Sequence, residues 1–435
     1  MDIYQHICDR VAEITPELTA WRRELHRFPE PRWQEVRTCA RIAAHLEQLG
    51  YEVIAGEPVF AADARMGLPT QDVLDTAYDR AIRQGTDPKW AEIFKDGFTG
   101  VIGILCCGEG PTVALRFDVD GLLLQETENE NHLPNRLGFR SENPGVMHAC
   151  GHDAHIVFGM GTAQVLAELK DQLHGTVKLI FQPAEEGVQG ARGIVAKGHL
   201  DGVDYLLGSH VTGADEFGSD VTPGSVGYLA TTKNDVVFRG VAAHSGASPE
   251  TGNNAILAAA TAILNLHAIS RHSDGASRVN VGVIHAGTCR NVVADEAKLE
   301  MEVRGETTEI NEYMHHRAMQ VLQSAADMHG CSVQTKIVGA SEAFTCDDAM
   351  MDRVYTICGE KMGLKVSENR IQRGGGSEDF SLMLNRVQAL GGQGTFLRIR
   401  ADMNAALHHR DFDIGEDILP RGVKIFTGMA VSLLQ

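Results

Sequence analysis

No stretch of this 435-residue sequence is apolar for long enough to span a bilayer, and none concentrates the lysines and arginines that gripping a phosphate backbone requires. The formal charge of −19 argues the same way against a nucleic-acid partner. A disulfide framework is missing as well: nine cysteines, an odd number, lie scattered without a repeating spacing, which fits a reducing compartment. The opening segment MDIYQHICDRVAEITPELTAW mixes charge into every turn and lacks the apolar centre of a signal peptide, so a cytoplasmic location is expected. What remains is ordinary globular composition, 43% hydrophobic and 22% charged, in a chain longer than one core usually supports. Two domains are the first expectation.

Between Glu35 and Leu49 the apolar residues Val36, Cys39, Ile42, Ala43, Leu46 and Leu49 recur at helical spacing, and Gly50 follows as a cap. Apolar runs then fall at Val101–Cys107, Val113–Phe117, Val177–Phe181 and Tyr205–Gly208, with a helix-length segment at Ala154–Leu173. This alternation predicts an α/β fold with a mostly parallel sheet covered by helices on both faces. Residues 57–98 interrupt it with a polar, helical-looking insert, a lid or partner surface that the pattern assigns to no core. From about Gly224 to Gly339 the order becomes strand, helix, strand, strand, helix, strand, as for a smaller ferredoxin-like α/β sandwich inserted into the larger domain. The expected organisation is a catalytic domain formed by residues 1–223 and 340–435, with an inserted dimerisation or lid domain at 224–339.

The ends of the apolar runs carry the chemistry. Asp118 and Asp120 follow one strand, Glu185 and Glu186 another, and His210 a third, and in open α/β sheets ligands sit at the carboxyl ends of strands. MHACGHDAH packs His148, Cys150, His152, Asp153 and His155 into nine positions, Met147–His155. A single such side chain is more often structural; a Cys-x-His cluster beside a flexible turn suits a borderline cation. In FQPAEEG, residues 181–187, two adjacent carboxylates leave an apolar strand, where one can aim at a metal and its neighbour at the attacking water. His210 and His408 by themselves read equally well as surface histidines.

Taken in order, HACGHDAH, QPAEEG, AAHSGASPE, GTCRNVVAD, GGGSEDFS and LHHRDF resemble the aminoacylase, carboxypeptidase and auxin-conjugate hydrolase family of dinuclear metallopeptidases over nearly the whole chain. ATTKNDVVFRGVAAHSGASPETG, HSDGASRVNVGV and the insert with RMGLP and GFTG resemble the bacterial subgroup that cleaves p-aminobenzoyl-glutamate. The resemblance implies two divalent ions, manganese or zinc, held by Cys150, His152, Glu186, His210 and His408. It implies Glu185 as general base and His244 as the group that polarises the scissile carbonyl across a subunit interface. The substrate carboxylate would fall to Asn291 and Arg304, aided by backbone N–H groups of Gly375 and Gly376. His408 is preferred to His409 for its four-residue spacing to Phe412, and Asp118 is expected behind the ligands, orienting a ligand imidazole. Ala294 departs from the family, which often has proline there. Two further readings remain open: a general N-acyl or indoleacetyl amino acid amidohydrolase, and a partner chain that works only in a complex with a related one. The expected assembly is a homodimer, or a heterodimer with a related B subunit, and the substrate a small molecule.

Overall fold

A computed structural model describes residues 2–435, which cluster into two compact units. The first runs up to Val226 and includes Phe344–Gly374 and Asp379–Gln435. Its sheet contains β1 (Glu52–Ala55), β2 (Val101–Cys106), β3 (Thr112–Asp118), β4 (Thr176–Gln182), β5 (Tyr205–Gly213), β6 (Val221–Thr222) and β15 (Gln393–Ala401). The strand order is β1-β2-β4-β3-β5-β15-β6. The central four are parallel, and β2 and β6 run against the other five. The short strands β7 (Gly224–Val226) and β14 (Ile371–Arg373) form a separate parallel pair.

The central strands are nearly continuous apolar runs because both of their faces are covered. The helix His152–Leu169 is apolar around its whole circumference and packs against β3 and the helices Ile3–Arg27 and Ile418–Leu434. It begins at His152, earlier than the apolar pattern suggests, so a chemistry-bearing side chain sits on its first turn. β5 likewise continues through His210 to Gly213, which places that histidine inside the strand.

The insert proves to be anchored. It carries the helices Gln71–Arg83 and Pro88–Ile93, and Ala81, Trp90, Ala91 and Phe94 join the main core. Leu74, Ala77 and Ala81 recur at helical spacing and are buried, but the pattern shows only that a face is covered, not which core covers it.

The second unit comprises Gly227–Ala343 with Gly375–Glu378. Strands β8 (Ala230–Arg239), β10 (Ser277–Ala286), β12 (Glu296–Gly305) and β13 (Ser332–Ser341) form an antiparallel sheet ordered β10-β12-β8-β13. With the helices Ala255–His267 and Thr308–Met328 this gives the βαββαβ order of a ferredoxin-like sandwich. Along β8 and β12 alternate residues, Val236 and Phe238 or Leu299, Met301 and Val303, are buried and share a core cluster with residues of both helices. β9 (Ala243–His244) and β11 (Val292–Val293) form a two-stranded ribbon. The segment Gly375–Glu378 is tied on by the Leu229 N–H donating to the Gly376 carbonyl. Among the described residues no helix is long and apolar enough to cross a membrane.

Candidate metal centre

The centre is assembled at the carboxyl ends of β3, β4 and β5. Gly151, with φ +84°, turns the chain between Cys150 and His152, and a Cβ there would lie 2.5 Å from Val211 Cγ2. Only glycine meets both demands. Beyond β4, Ala184 and Val188 adopt left-handed conformations on either side of Glu185 and Glu186. That strained turn is held by three hydrogen bonds to two carboxylates. Asp120 accepts the backbone N–H groups of Glu185 (2.9 Å) and Glu186 (3.1 Å), and Glu35 accepts that of Ala184 (3.0 Å). His408, also left-handed, is brought in from the far end of the chain by its N–H donating to the Ala149 carbonyl at 2.8 Å.

The result is a set of overlapping donor groups. Cys150, His152 and His210 form one; Cys150, Glu186 and His408 form another; His152, Glu185 and Glu186 form a third, with the donor atoms in each within 4.8 Å of one another. Cys150 Sγ lies 3.3 Å from His210 Nε2, and His408 Nε2 lies 3.4 Å from Glu186 Oε2. His152 Nε2 is 3.8 Å from Glu185 Oε2 and 3.9 Å from Glu186 Oε1. His409 stays in its own turn, its Nδ1 accepting the Asp411 N–H.

These side chains are prepared for a cation. His152 donates from Nδ1 to the Asp120 carbonyl at 2.8 Å, and His210 donates from Nδ1 to the Val211 carbonyl at 2.7 Å. With Nδ1 committed to a carbonyl, each ring aims Nε2 inward, where a cation would take the place of a proton. His152 Nε2 and Glu186 Oε1 are buried with no hydrogen-bond partner, which is costly unless something else fills their lone pairs. Burial pushes the Cys150 thiol well above its ordinary value, and nearby Glu186 adds to it. Without a cation, such a thiol stays protonated. Thiol, imidazole and carboxylate donors sharing Cys150 fit a pair of divalent ions.

Behind the donors the arrangement differs from expectation. Asp118 accepts from His155 Nδ1 at 2.5 Å and pairs with Arg116 at 2.6 Å, so the imidazole it orients chiefly is His155, while His152 takes its orientation from a backbone carbonyl. His155 Nε2 in turn accepts the Val211 N–H, at 3.0 Å, which occupies it structurally. Burial works against the Asp118 carboxylate, but His152, His155 and Arg116 together hold its pKa well below the usual range. His148 is buried with neither ring nitrogen partnered, stays outside the donor groups, and has its pKa lowered to about 4 by burial. Asp153 leads away into a buried network with Arg22 (2.9 Å) and His26 (2.9 Å), and His26 continues to Glu126 at 3.1 Å. Glu35, Arg22, His26 and Glu126 carry no motif signal and were invisible to the sequence pattern; only their complete burial as charged groups exposes them.

In the second unit, His244 is exposed on the β9 strand of the ribbon. Its Nδ1 accepts the N–H groups of Gly246 and Ala247, both at 3.1 Å. The neutral ring therefore carries its proton on Nε2 and can donate outward. Asn291 is exposed at the start of the facing strand, its carbonyl accepting the Ser245 N–H. Arg304 on β12 is gripped by Glu302, Nε to Oε1 at 2.9 Å and Nη2 to Oε2 at 3.1 Å. Gly375 and Gly376 have open space where a side chain would stand.

Residues 114–432 match the model of peptidase family M20/M25/M40. The chain belongs to this family. It is 45% identical over 415 residues, 95% of each chain, to the indole-3-acetyl-aspartic acid hydrolase of Enterobacter agglomerans. It is 43% identical over 423 residues, 97% of each, to the A subunit of the p-aminobenzoyl-glutamate hydrolase of Escherichia coli. Among solved structures, the aminobenzoyl-glutamate utilization protein of Klebsiella pneumoniae superposes with a TM-score of 0.83 at 38% identity, covering 98% of this chain and 97% of that one. A dinuclear metal-binding M20 peptidase of Bacillus subtilis gives 0.66 at 25% identity, covering 97% and 99%. This M20 chain is accordingly a hydrolase of amide bonds, with donor groups suited to metal.

Proposed function

We propose that this M20 hydrolase cleaves the amide bond between an aromatic acyl group and a carboxylate-bearing amino acid, p-aminobenzoyl-glutamate being the first candidate. The observation that carries the reading is the meeting of Cys150, His152, Glu186, His210 and His408 with the carboxylate of Glu185 beside them. The five would hold two divalent ions, zinc or manganese, which when bound polarise the carbonyl and lower the pKa of the attacking water. Glu185 accepts the proton of that water and returns it to the departing amine. Its backbone N–H is held by Asp120, which anchors the turn that carries it. His244 Nε2–H donates to the carbonyl oxygen as negative charge develops there. Arg304 and Asn291 take the carboxylate of the leaving amino acid, with the N–H groups of Gly375 and Gly376 as further donors. His244, exposed in a single chain, is assigned to complete the site of a second subunit, in a homodimer or a heterodimer with a related chain. A cytoplasmic setting suits nine free thiols.

The identity to an indoleacetyl-aspartate hydrolase favours a second reading, in which the acyl half is indoleacetyl. Turnover of p-aminobenzoyl-glutamate, indoleacetyl-aspartate and hippurate by the purified, metal-loaded chain separates them. Fastest cleavage of p-aminobenzoyl-glutamate is expected. Preference for indoleacetyl-aspartate transfers the assignment to the second reading. Activity appearing only on adding a related chain makes this one a partner within a complex.

A further inference from the structure

The insert at residues 57–98 reaches both flanks of the turn that carries Glu185. On the leading side, Glu35 takes the Ala184 N–H on Oε1 at 3.0 Å and the Thr99 hydroxyl on Oε2 at 2.6 Å. Thr99 is the first residue after the insert. Glu35 and Thr99 are both fully buried, so neither can exchange its bond for one to water. On the trailing side, the helix Ala191–Ala196 follows the turn closely, and its Gly193 carbonyl accepts the Ala61 N–H at 3.0 Å. A Cβ on Gly193 would lie 3.0 Å from Phe60 Cδ1, so that helix and the insert are packed tightly together.

The two flanks are joined through Trp33. Its indole N–H donates to the Met66 carbonyl at 2.8 Å, and its ring stands edge-on to Phe60. Its backbone is left-handed, φ 62°, which a bulky residue keeps only where its surroundings impose it. Glu35 lies two residues further along the chain. Arg65 closes the insert on itself, donating to the carbonyls of Asp96 (3.1 Å) and Gly97 (2.9 Å) and lying over the Phe98 ring. The end of the insert that meets Trp33 is thereby tied to the end that leads to Thr99. We propose that residues 57–98 are a brace that positions the general base: through Trp33, Glu35 and Thr99 ahead of the turn, and Gly193 behind it, the insert sets where the Glu185 carboxylate stands. Thr99 and Arg65 are positioning residues, acting only through the turn. The inference rests on Glu185 as the base and adds what holds it in place.

The test uses Thr99→Val, which removes the hydroxyl and keeps the shape, Thr99→Ser, which keeps the hydroxyl, and Arg65→Met, which unties the insert at a half-buried position. With p-aminobenzoyl-glutamate, Thr99→Val and Arg65→Met should each lower kcat by about 10–100-fold, the loss expected when a reacting group is displaced by up to about 1 Å. KM should not change, turnover being counted per metal-loaded chain. Thr99→Ser should stay near the wild type. A lower melting temperature with unchanged kcat marks a merely structural role and overturns the brace, as does a loss carried by KM. If Thr99→Val fails to fold, Arg65→Met decides. Hydrogen exchange of the amides of residues 184–188, measured without substrate, should be at least about tenfold faster in both variants. Wild-type exchange overturns the brace even if p-aminobenzoyl-glutamate is not cleaved by the wild type, a result that would sink the amidohydrolase reading and leave the brace to be judged by exchange.

Discussion

Glu185 is the side chain whose removal is most informative. Glu185→Gln keeps size and polarity but abolishes proton acceptance, so turnover should fall by about 10²–10⁴-fold while the bound-metal content stays as in the wild type. Turnover near normal would displace the general base to another group. His26 tests a different kind of residue, buried and charged behind the centre. Burial alone would lower its pKa, but its hydrogen bonds to Asp153 and Glu126 raise it to about 9, while Glu126, despite its own burial, is held down at about 2 by His132 and His26. The raised histidine stabilises the fold fully below its ordinary value of 6.5, and that contribution disappears as pH climbs through about 9. The depressed glutamate contributes above its ordinary 4.5 and is lost as pH drops through about 2. The pair is therefore most stabilising near pH 4.5–6.5. In denaturant melts from pH 6 to pH 9, His26→Gln should be less stable at the acid end and show a flatter decline; parallel curves would refute the charged pairing.

At the level of elements, the centre depends on turns that the backbone would not choose unaided. The Gly151 turn sets the angle between Cys150 at its entrance and His152 on the first turn of a fully buried helix. Gly151→Ala demands a left-handed alanine whose Cβ meets Val211, so a loss of about 1–3 kcal/mol in stability is expected, together with reduced metal content. Urea melts and metal analysis of the same preparation check it. Wild-type values in both would mean that the turn relaxes without disturbing its donors. The Ala184 to Val188 turn solves the same problem with hydrogen bonds, borrowing Asp120 from beyond β3 and Glu35 from the first hundred residues.

For the whole molecule, the five donors come from four separated stretches of chain, so cations that join them also join the fold. Stripping divalent ions with a chelator should abolish turnover and lower the melting temperature, and zinc or manganese should restore both. A ligand present at 100 times its dissociation constant stabilises by about 2.7 kcal/mol, which sets the size of shift to expect. An unchanged melting temperature would show that the donor set stands without its ions.

The sequence by itself determined the α/β class, the βαββαβ order of the second unit and the residue types of the centre, because apolar periodicity and tight Cys, His and Glu motifs are local properties of the chain. It left His408 and His409 to be ranked by spacing alone, gave no direction to β2, and assigned the insert to no core. Contacts between distant segments set the rest: the Ala149 carbonyl that accepts the His408 N–H, the pairing of β2 against β4, and the burial of Trp90 and Phe94 in the main core. The hold of Glu35 on the Ala184 N–H is of the same kind, since residues far apart along the chain can bond only once the fold has brought them together.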